Sequence, residues 1–375
     1  MIPRLLQEKI TNHLLNNKIL ILMGSKGVGK KKLILESIGD SGELLLFDAN
    51  IKTVQKELAF TNSNKLIQKF EGKKFVLIED AQYLSDIQQI IETILFGEEN
   101  LTLILTCSFE PLLDDVLKEA LQMQGLILTL YPPLFQEIAN QVGIVEFDKT
   151  LPQRLVFGNY AEVIADDENK ETFLMDLIDK AIFTNLSPNE RINKGEKLLK
   201  MLQILAFEIG EPISYNDVGF RCGLDNETVE RYIDLLQKAF ILIKIPTYFN
   251  GHKYELKKAH AVYFYDNGIR NAIIRNFNEI DLRNDVDLLW KNWLIAERIK
   301  WNSQNNNELT YYFWRTNTKQ QMDFIELKDN KVSAYKSIWD KRKKPKFPLS
   351  FKTAYPEAAT HALNRSTYWG FLSKK

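Results

Sequence analysis

The first third of the chain alternates two hydrophobic patterns. Short, nearly unbroken apolar runs occur at Lys18–Met23 (KILILM), Gly42–Asn50 (GELLLFDAN), Lys73–Asp80 (KKFVLIED), Leu101–Thr106 (LTLILT) and Leu126–Leu130. Between them lie stretches with apolar residues at helical spacing, at 32–38, at 54–70 and after Asp80. Runs so short and so uniformly apolar predict strands buried on both faces. Helices between them predict a parallel sheet covered on both sides. Ligands of such sheets bind beyond the carboxyl ends of the strands, which directs attention to the residues after each run. The opening MIPRLLQEKITNHLL predicts an amphipathic helix.

The pattern then changes. Leu198–Ile209 predicts an apolar helix, Ser214 caps a second, and Asn226–Phe240 predicts a third. Phe240–Tyr248 and Lys253–Leu256 flank Asn250-Gly251, a strong two-residue turn signal, so the third helix is expected to lead into a hairpin and the whole into a winged helix. From Asp285 the run LLWKNWLIAERIKW predicts an aromatic-rich helix whose Trp290, Trp293 and Trp301 read as core anchors. Strands are expected at 311–316, 321–324 and 332–336, and a helix and a final strand within Phe351–Phe371.

Three polar groups fall at the predicted strand ends. The first, Gly24-Ser25-Lys26-Gly27-Val28-Gly29-Lys30-Lys31, nearly completes GxxxxGK[ST] between a strand and a helix. Its glycines permit a tight turn whose amides point at phosphate oxygens, the helix N-terminus adds positive potential, and Lys30 reaches the terminal phosphates. Lys30, Lys31 and Lys32 crowd cations against the positive end of the helix dipole, a placement that a bound polyphosphate would reverse. Lys31 stands where a Ser or Thr would offer its hydroxyl to Mg²⁺, and an ammonium, having donors only, cannot ligate a cation.

The second group, Glu79 and Asp80, suits ATP hydrolysis if one carboxylate holds Mg²⁺ and the next polarises the attacking water. The usual Asp-Glu order is inverted, so Glu79 is expected to be the metal residue and Asp80 the base. The third group is Thr106 to Ser108, from which Thr106 or Ser108 would sense the γ-phosphate. Each group alone also suits an ordinary turn or cap. Their convergence on one rim points to ATP as the ligand, with Mg²⁺ as its expected companion.

Composition narrows the class. At 375 residues, with 45% hydrophobic content and 11 Pro, the chain has room for two or three compact domains. Lys+Arg and Asp+Glu both total 49, so no global basic field draws the protein to nucleic acid and any such contact would be local. Cys107 and Cys222 form no CxxC pair, and with four His they offer no zinc cluster. No apolar run approaches the roughly 20 residues that span a membrane, and the N-terminus lacks an apolar signal core. The expectation is a soluble, cytoplasmic protein without a membrane partner.

Several strips, taken in order, resemble prokaryotic AAA-type P-loop ATPases that carry an ATPase domain, a winged helix and a C-terminal domain similar to PD-(D/E)XK nucleases. They are VLIEDAQ at Val76–Gln82, Thr106-Cys107-Ser108, LYPPLFQE at Leu130–Glu137, GNYAE at Gly158–Glu162 and YFYDNGIR at Tyr263–Arg270. The resemblance implies an α/β fold class: a P-loop domain at 1–145, a helical lid or linker at 146–200, a winged helix at 201–275 and a nuclease-like α+β domain at 276–375.

Departures from the family pattern matter as much. An arginine expected just before the LYPPLFQE strip is replaced by Gln124-Gly125, and such an arginine is worth about 10³ or more in phosphoryl transfer. With Lys31 and the inverted acids, this implies binding without efficient turnover. In the nuclease-like part Asp323 remains, but the second acid position holds Lys336 and the lysine position Ile338. No nuclease activity is expected, and Glu326 would substitute only through a register shift.

The candidate partner surfaces differ in charge. The predicted third helix of the winged helix carries Glu227, Glu230 and Asp234 against Arg231 and Lys238, a face that repels phosphate. The wing (Lys253, Lys257, Lys258) and the run Lys341-Arg342-Lys343-Lys344-Pro345-Lys346 are basic and suit DNA or an acidic protein. Related ATPases work between subunits, which suits a homo-oligomer. The expected function is ATP binding with weak or absent hydrolysis, the nucleotide state being coupled to the other domains. The alternative is a non-enzymatic DNA-associated or protein-docking regulator with a vestigial loop, and an active Mg²⁺ nuclease is a third reading.

Overall fold

A computed structural model describes residues 2–15, 18–39, 43–60, 62–97, 100–166, 168–180, 195–249, 251, 255–256 and 259–373. They form two compact units, one built mainly from residues up to Tyr131 and the other mainly from Pro132 onward.

The first unit opens with α1 (Leu6–Leu14), β1 (Ile19–Met23) and α2 (Lys30–Ile38), followed by β2 (Leu44–Asp48), α3 (Lys52–Glu57) and α4 (Ser63–Phe70). It closes with β3 (Phe75–Glu79), α5 (Ile87–Phe96), β4 (Thr102–Cys107), α6 (Asp115–Gln124) and β5 (Gly125–Thr129). The five strands form one sheet in the order β2-β3-β4-β1-β5, every pair parallel. All five sequence-predicted strands are present. The side chains of β4 are buried throughout, as are the first four of β3, while Ile90, Ile91 and Ile94 of α5 pack with Leu66 and Phe70 of α4 in the core. Strand β1 lies between β4 and β5, so the loop that follows it emerges where the crossovers part, the position that parallel sheets offer to ligands.

The second unit begins with α7 (Phe135–Val142), α8 (Ile144–Phe157), α9 (Ala161–Ala165) and α10 (Lys170–Ile178). Next come α11 (Gly195–Phe207), β6 (Pro212–Ile213), α12 (Tyr215–Cys222), α13 (Asn226–Lys238), β7 (Leu242–Pro246), β8 (His260–Phe264) and α14 (Asn267–Ile273). As predicted, Ser214 caps α12, accepting the Asp217 N–H at 3.3 Å. The strands form a small antiparallel sheet in the order β6-β8-β7.

That pairing corrects the hairpin expectation. The partner of β7 is His260–Phe264, not Lys253–Leu256. Glu255 is instead buried, accepting hydrogen bonds from the Trp314 indole at 2.5 Å and the Tyr355 hydroxyl at 2.6 Å, and it bridges to Thr316. A buried carboxylate goes where its donors are, and these outweigh a turn signal. Asn250, Lys253, Lys257 and Lys258, the predicted turn and basic wing, lie outside the described residues.

The chain ends with α15 (Val286–Gln304), β9 (Thr310–Arg315), β10 (Gln321–Lys328), β11 (Lys331–Ser337), α16 (Leu349–Ala354), β12 (Ala359–Leu363) and α17 (Tyr368–Ser373). The sheet order is β12-β11-β10-β9, antiparallel except for the parallel β11/β12 pair. Trp290 and Trp293 of α15 are buried and stack at 5.5 Å, as core anchors should; Trp301 is half-buried.

Three of the resemblance strips meet here as structure. Asp266 accepts the Asn159 N–H at 2.8 Å, so the GNYAE turn rests on the YFYD strip. A Cβ on Gly158 would stand 1.9 Å from Asp266 Oδ1, which leaves room only for glycine. The Phe135 N–H of the LYPPLFQE strip donates to Glu297 Oε2 at 2.7 Å, and Lys300 ion-pairs with Glu297. Burial raises the Asp266 carboxyl above its ordinary range, with Lys300 opposing.

Candidate functional site

The site grows from β1. Its apolar residues fix it at the centre of the sheet, and the chain then turns sharply at Gly24, whose N–H donates to the Cys107 carbonyl at 3.1 Å. Gly24 has φ 148°, and a Cβ there would lie 2.1 Å from the Leu130 carbonyl oxygen. Gly29, at φ 90°, caps α2 in the left-handed region; no side chain caps that helix, and a Cβ at Gly29 would project into open space. The first-turn N–H groups of α2 are therefore left without a side-chain cap, an arrangement that suits phosphate oxygens. Arg4 reaches over the loop to the Val28 carbonyl at 3.4 Å and to that of Tyr131 at 2.5 Å, an anchor that no motif marks.

Lys30 is the centre of the site. It is only 8% exposed. Its ammonium donates to the carbonyls of Gly24 (2.7 Å) and Ser25 (3.0 Å) and to Ser108 Oγ (3.0 Å). Burial pulls its pKa down to about 8, with Asp80 the chief opposing influence. Ser108 Oγ donates onward to Asp80 Oδ1 at 2.8 Å. Gln82 completes the network, donating to Asp80 at 3.2 Å and accepting the Ser108 N–H at 3.1 Å. Asp80 itself is in the left-handed region, φ 48°, which turns the carboxylate back toward the rim. Ser108 is thus the residue linked to Lys30, while Thr106 is buried within β4. Cys107 is a free, buried thiol pushed up to about 12 by burial, which keeps it protonated and unreactive.

The other loop lysines also meet the acids. Lys31 Nζ lies 2.7 Å from Glu79 Oε1, and Lys26 Nζ 3.8 Å from Asp80 Oδ2. Lys32 is exposed on the outer face of α2. The sequence-predicted residues Gly24, Ser25, Lys26, Gly27, Val28, Gly29, Lys30, Lys31, Glu79, Asp80 and Ser108 all lie at this rim. Gln82 was legible only as part of VLIEDAQ.

A nucleotide triphosphate fits this donor set, because the loop's backbone and lysines present donors to an anion. Mg²⁺ does not fit. Glu79, the carboxylate expected to hold the metal, is bonded to an ammonium, and the position expected to offer a hydroxyl is that ammonium.

The second candidate centre dissolves into structure. Asp323 of β10 accepts the Ser337 N–H at 2.9 Å, and Lys336 donates to the Gln321 carbonyl at 2.9 Å. Glu326 accepts both arms of the Arg298 guanidinium at 2.7 and 3.1 Å, with Asn302 and the Tyr335 hydroxyl also donating. The β9/β10 register is irregular between Met322 and Ile325, and beyond it Glu326 faces Arg298. In the basic run 341–346, Arg342 and Lys343 pair with Asp340 on the surface.

A five-stranded parallel sheet with a glycine loop, a buried lysine and acids at the neighbouring strand ends carries the features by which P-loop domains are recognised. Residues 16–139 match the AAA domain family, and residues 148–280 match a domain family of unknown function, DUF8612. An uncharacterized protein of Haemophilus influenzae is 23% identical over 293 residues, 72% of this chain and 72% of that protein. Among solved structures, the Walker-type ATPase PABY2304 of Pyrococcus abyssi is 12% identical, covering 73% of this chain and 96% of that one with a TM-score of 0.43. The Aeropyrum pernix ORC1 protein, solved in complex with DNA, is 12% identical, covering 72% and 91% with a TM-score of 0.33. Among the described residues, no helix is long and apolar enough to cross a membrane.

Proposed function

We propose that this protein binds ATP at the Gly24–Lys32 loop and hydrolyses it weakly or not at all, the bound state being read by the rest of the chain. The observation that carries this reading is the double engagement of the acids. Glu79 is paired with Lys31 and Asp80 with Lys26 and Ser108, while Lys30 remains in the cradle. A carboxylate whose oxygens already accept from an ammonium or a hydroxyl has fewer lone pairs free to engage an attacking water. Binding needs only the loop, the helix N-terminus and Lys30, and these are intact.

The second unit, in this reading, comprises a helical segment, a winged helix (α11 to β8) and a nuclease-like domain without a metal site. The three helices and antiparallel sheet support the first assignment, and the antiparallel strands with a parallel β12 support the second. In α13, Asp234 ion-pairs with Lys244 at 2.6 Å and stands with the acidic Glu227 and Glu230, a negative face that favours a protein partner or a second copy of the chain over DNA.

The test is a single-turnover assay on the full chain with radiolabelled ATP. Retention of intact ATP on the protein, with phosphate release no faster than the uncatalysed background, is the expected result. Phosphate release many times faster than background that vanishes in Asp80→Asn would show that the acids are a working pair and overturn the reading.

A further inference from the structure

We infer that the nucleotide of this site is bound as the free triphosphate, with the Lys31 ammonium standing where other P-loop proteins hold Mg²⁺. The inference rests on the ATP-site reading and deepens it by naming the form of the ligand. In the usual arrangement a divalent cation is bracketed by the hydroxyl that follows the loop lysine and by a carboxylate at a neighbouring strand end. Here those two positions are Lys31 and Glu79, and they are bonded to each other at 2.7 Å.

One ammonium therefore does what the metal would do on the protein side. It has three donors, of which Glu79 takes one, leaving two for phosphate oxygens. A divalent cation entering the same space would meet a fixed positive charge and would have to break the pair to gain Glu79. It would gain no hydroxyl ligand in exchange.

The local charge agrees. Lys26 lies 3.8 Å from Asp80 as Lys31 lies beside Glu79, so the rim adds two ammoniums to Lys30, and together these two carry the charge of one divalent cation. Free ATP is more negative than its Mg²⁺ complex and gains more from three lysines and a helix N-terminus. Glu79 then acts as the positioning residue of Lys31, holding its ammonium at the mouth of the loop.

The experiment is calorimetric titration of the full chain with ATP, once in EDTA and once with excess Mg²⁺, on the parent protein and on Lys31→Thr and Lys31→Met. Lys31 is exposed on the first turn of α2, so both variants should fold, and a thermal melt verifies it. The parent is expected to bind ATP in EDTA at least as tightly as with Mg²⁺. Lys31→Thr should lose roughly tenfold or more in EDTA and recover part of it with Mg²⁺, whereas Lys31→Met should lose as much and recover nothing. A parent protein that requires Mg²⁺, or a Lys31→Met protein that binds in EDTA like the parent, overturns the inference while leaving the ATP site standing. No binding in either buffer would remove the ATP reading, and this inference with it.

Discussion

Two pairs of acids, one in each unit, show how the same residue types come to different ends. Glu79 and Asp80 sit at a strand end on an open rim, each within reach of a loop lysine that can exchange its partner for a phosphate. Asp323 and Glu326 lie buried in β10, the first accepting the Ser337 backbone N–H and the second a guanidinium, an amide and a phenol. Ligand chemistry survives where the counter-charge is mobile and solvent-facing. Where it is fixed among buried donors, a carboxylate becomes part of the fold.

The sharpest break of this comparison is Glu326→Ala. It would leave the Arg298 guanidinium buried without its carboxylate, a loss expected to cost about 3–5 kcal/mol in denaturant unfolding of the second unit. ATP titration of whatever remains folded should be unchanged; a mild loss of stability would mean that the pair is not closed to water.

Lys30→Ala acts on the other pair. Removing the charged donor is expected to weaken ATP binding by about 1.5–3 kcal/mol, or roughly ten- to a hundredfold, without lowering the melting temperature. A variant that binds ATP as the parent does would sink the assignment of the loop.

Smaller, and dependent on pH, is the effect of Lys30 titration. Its pKa in the nucleotide-free fold is pulled from 10.5 to about 8, so between those values the folded state binds fewer protons than the unfolded one. Across that window the lysine's contribution makes the free protein more stable as pH rises, because the cost of burying the charge is relieved. ATP needs the charged form, so affinity should fall above pH 8, by up to about tenfold per unit, and binding there should take up a proton. Calorimetry in two buffers of different ionisation enthalpy checks the sign. The change should disappear in Lys30→Arg, whose charge does not titrate.

The least effect is expected from Asp323→Asn. An amide keeps an acceptor for the Ser337 N–H, so the cost should be about 1 kcal/mol or less. Incubation with plasmid and Mg²⁺ or Mn²⁺ should give no cleavage in either the parent or the variant. Cleavage by the parent that disappears in the variant would mean that Asp323 had kept its ligand role.

Much of the first unit was legible in the sequence because uninterrupted apolar runs such as ILILM and FVLIE leave no register in which they face water. Lys30, Asp80 and Ser108 were legible because strand ends in such a sheet are few and polar groups there stand out. The Lys31–Glu79 bond was hidden, since two oddities in different elements only explain each other once the sheet brings β1 and β3 to one rim.

The second unit was harder to read. The turn signal at Asn250-Gly251 is local, whereas the pull on Glu255 comes from Trp314 and Tyr355, distant in sequence. Glu297, Arg298 and Lys300 were also passed over. Charges on an aromatic-rich helix usually mark its wet face, and α15 is buried nearly all round, so they pair inside instead. A long helix whose polar residues are spread around its circumference instead of gathered in one solvent stripe was the clue that these charges had internal partners.

The central claim is that the rim binds ATP and keeps it. The most direct measurement is to saturate the full chain with ATP, remove free nucleotide by rapid desalting, and identify what stays bound after an hour by ion-exchange chromatography. Near-stoichiometric intact ATP, absent from Lys30→Ala, is the predicted result. ADP with free phosphate on the parent, or no nucleotide at all, would contradict it.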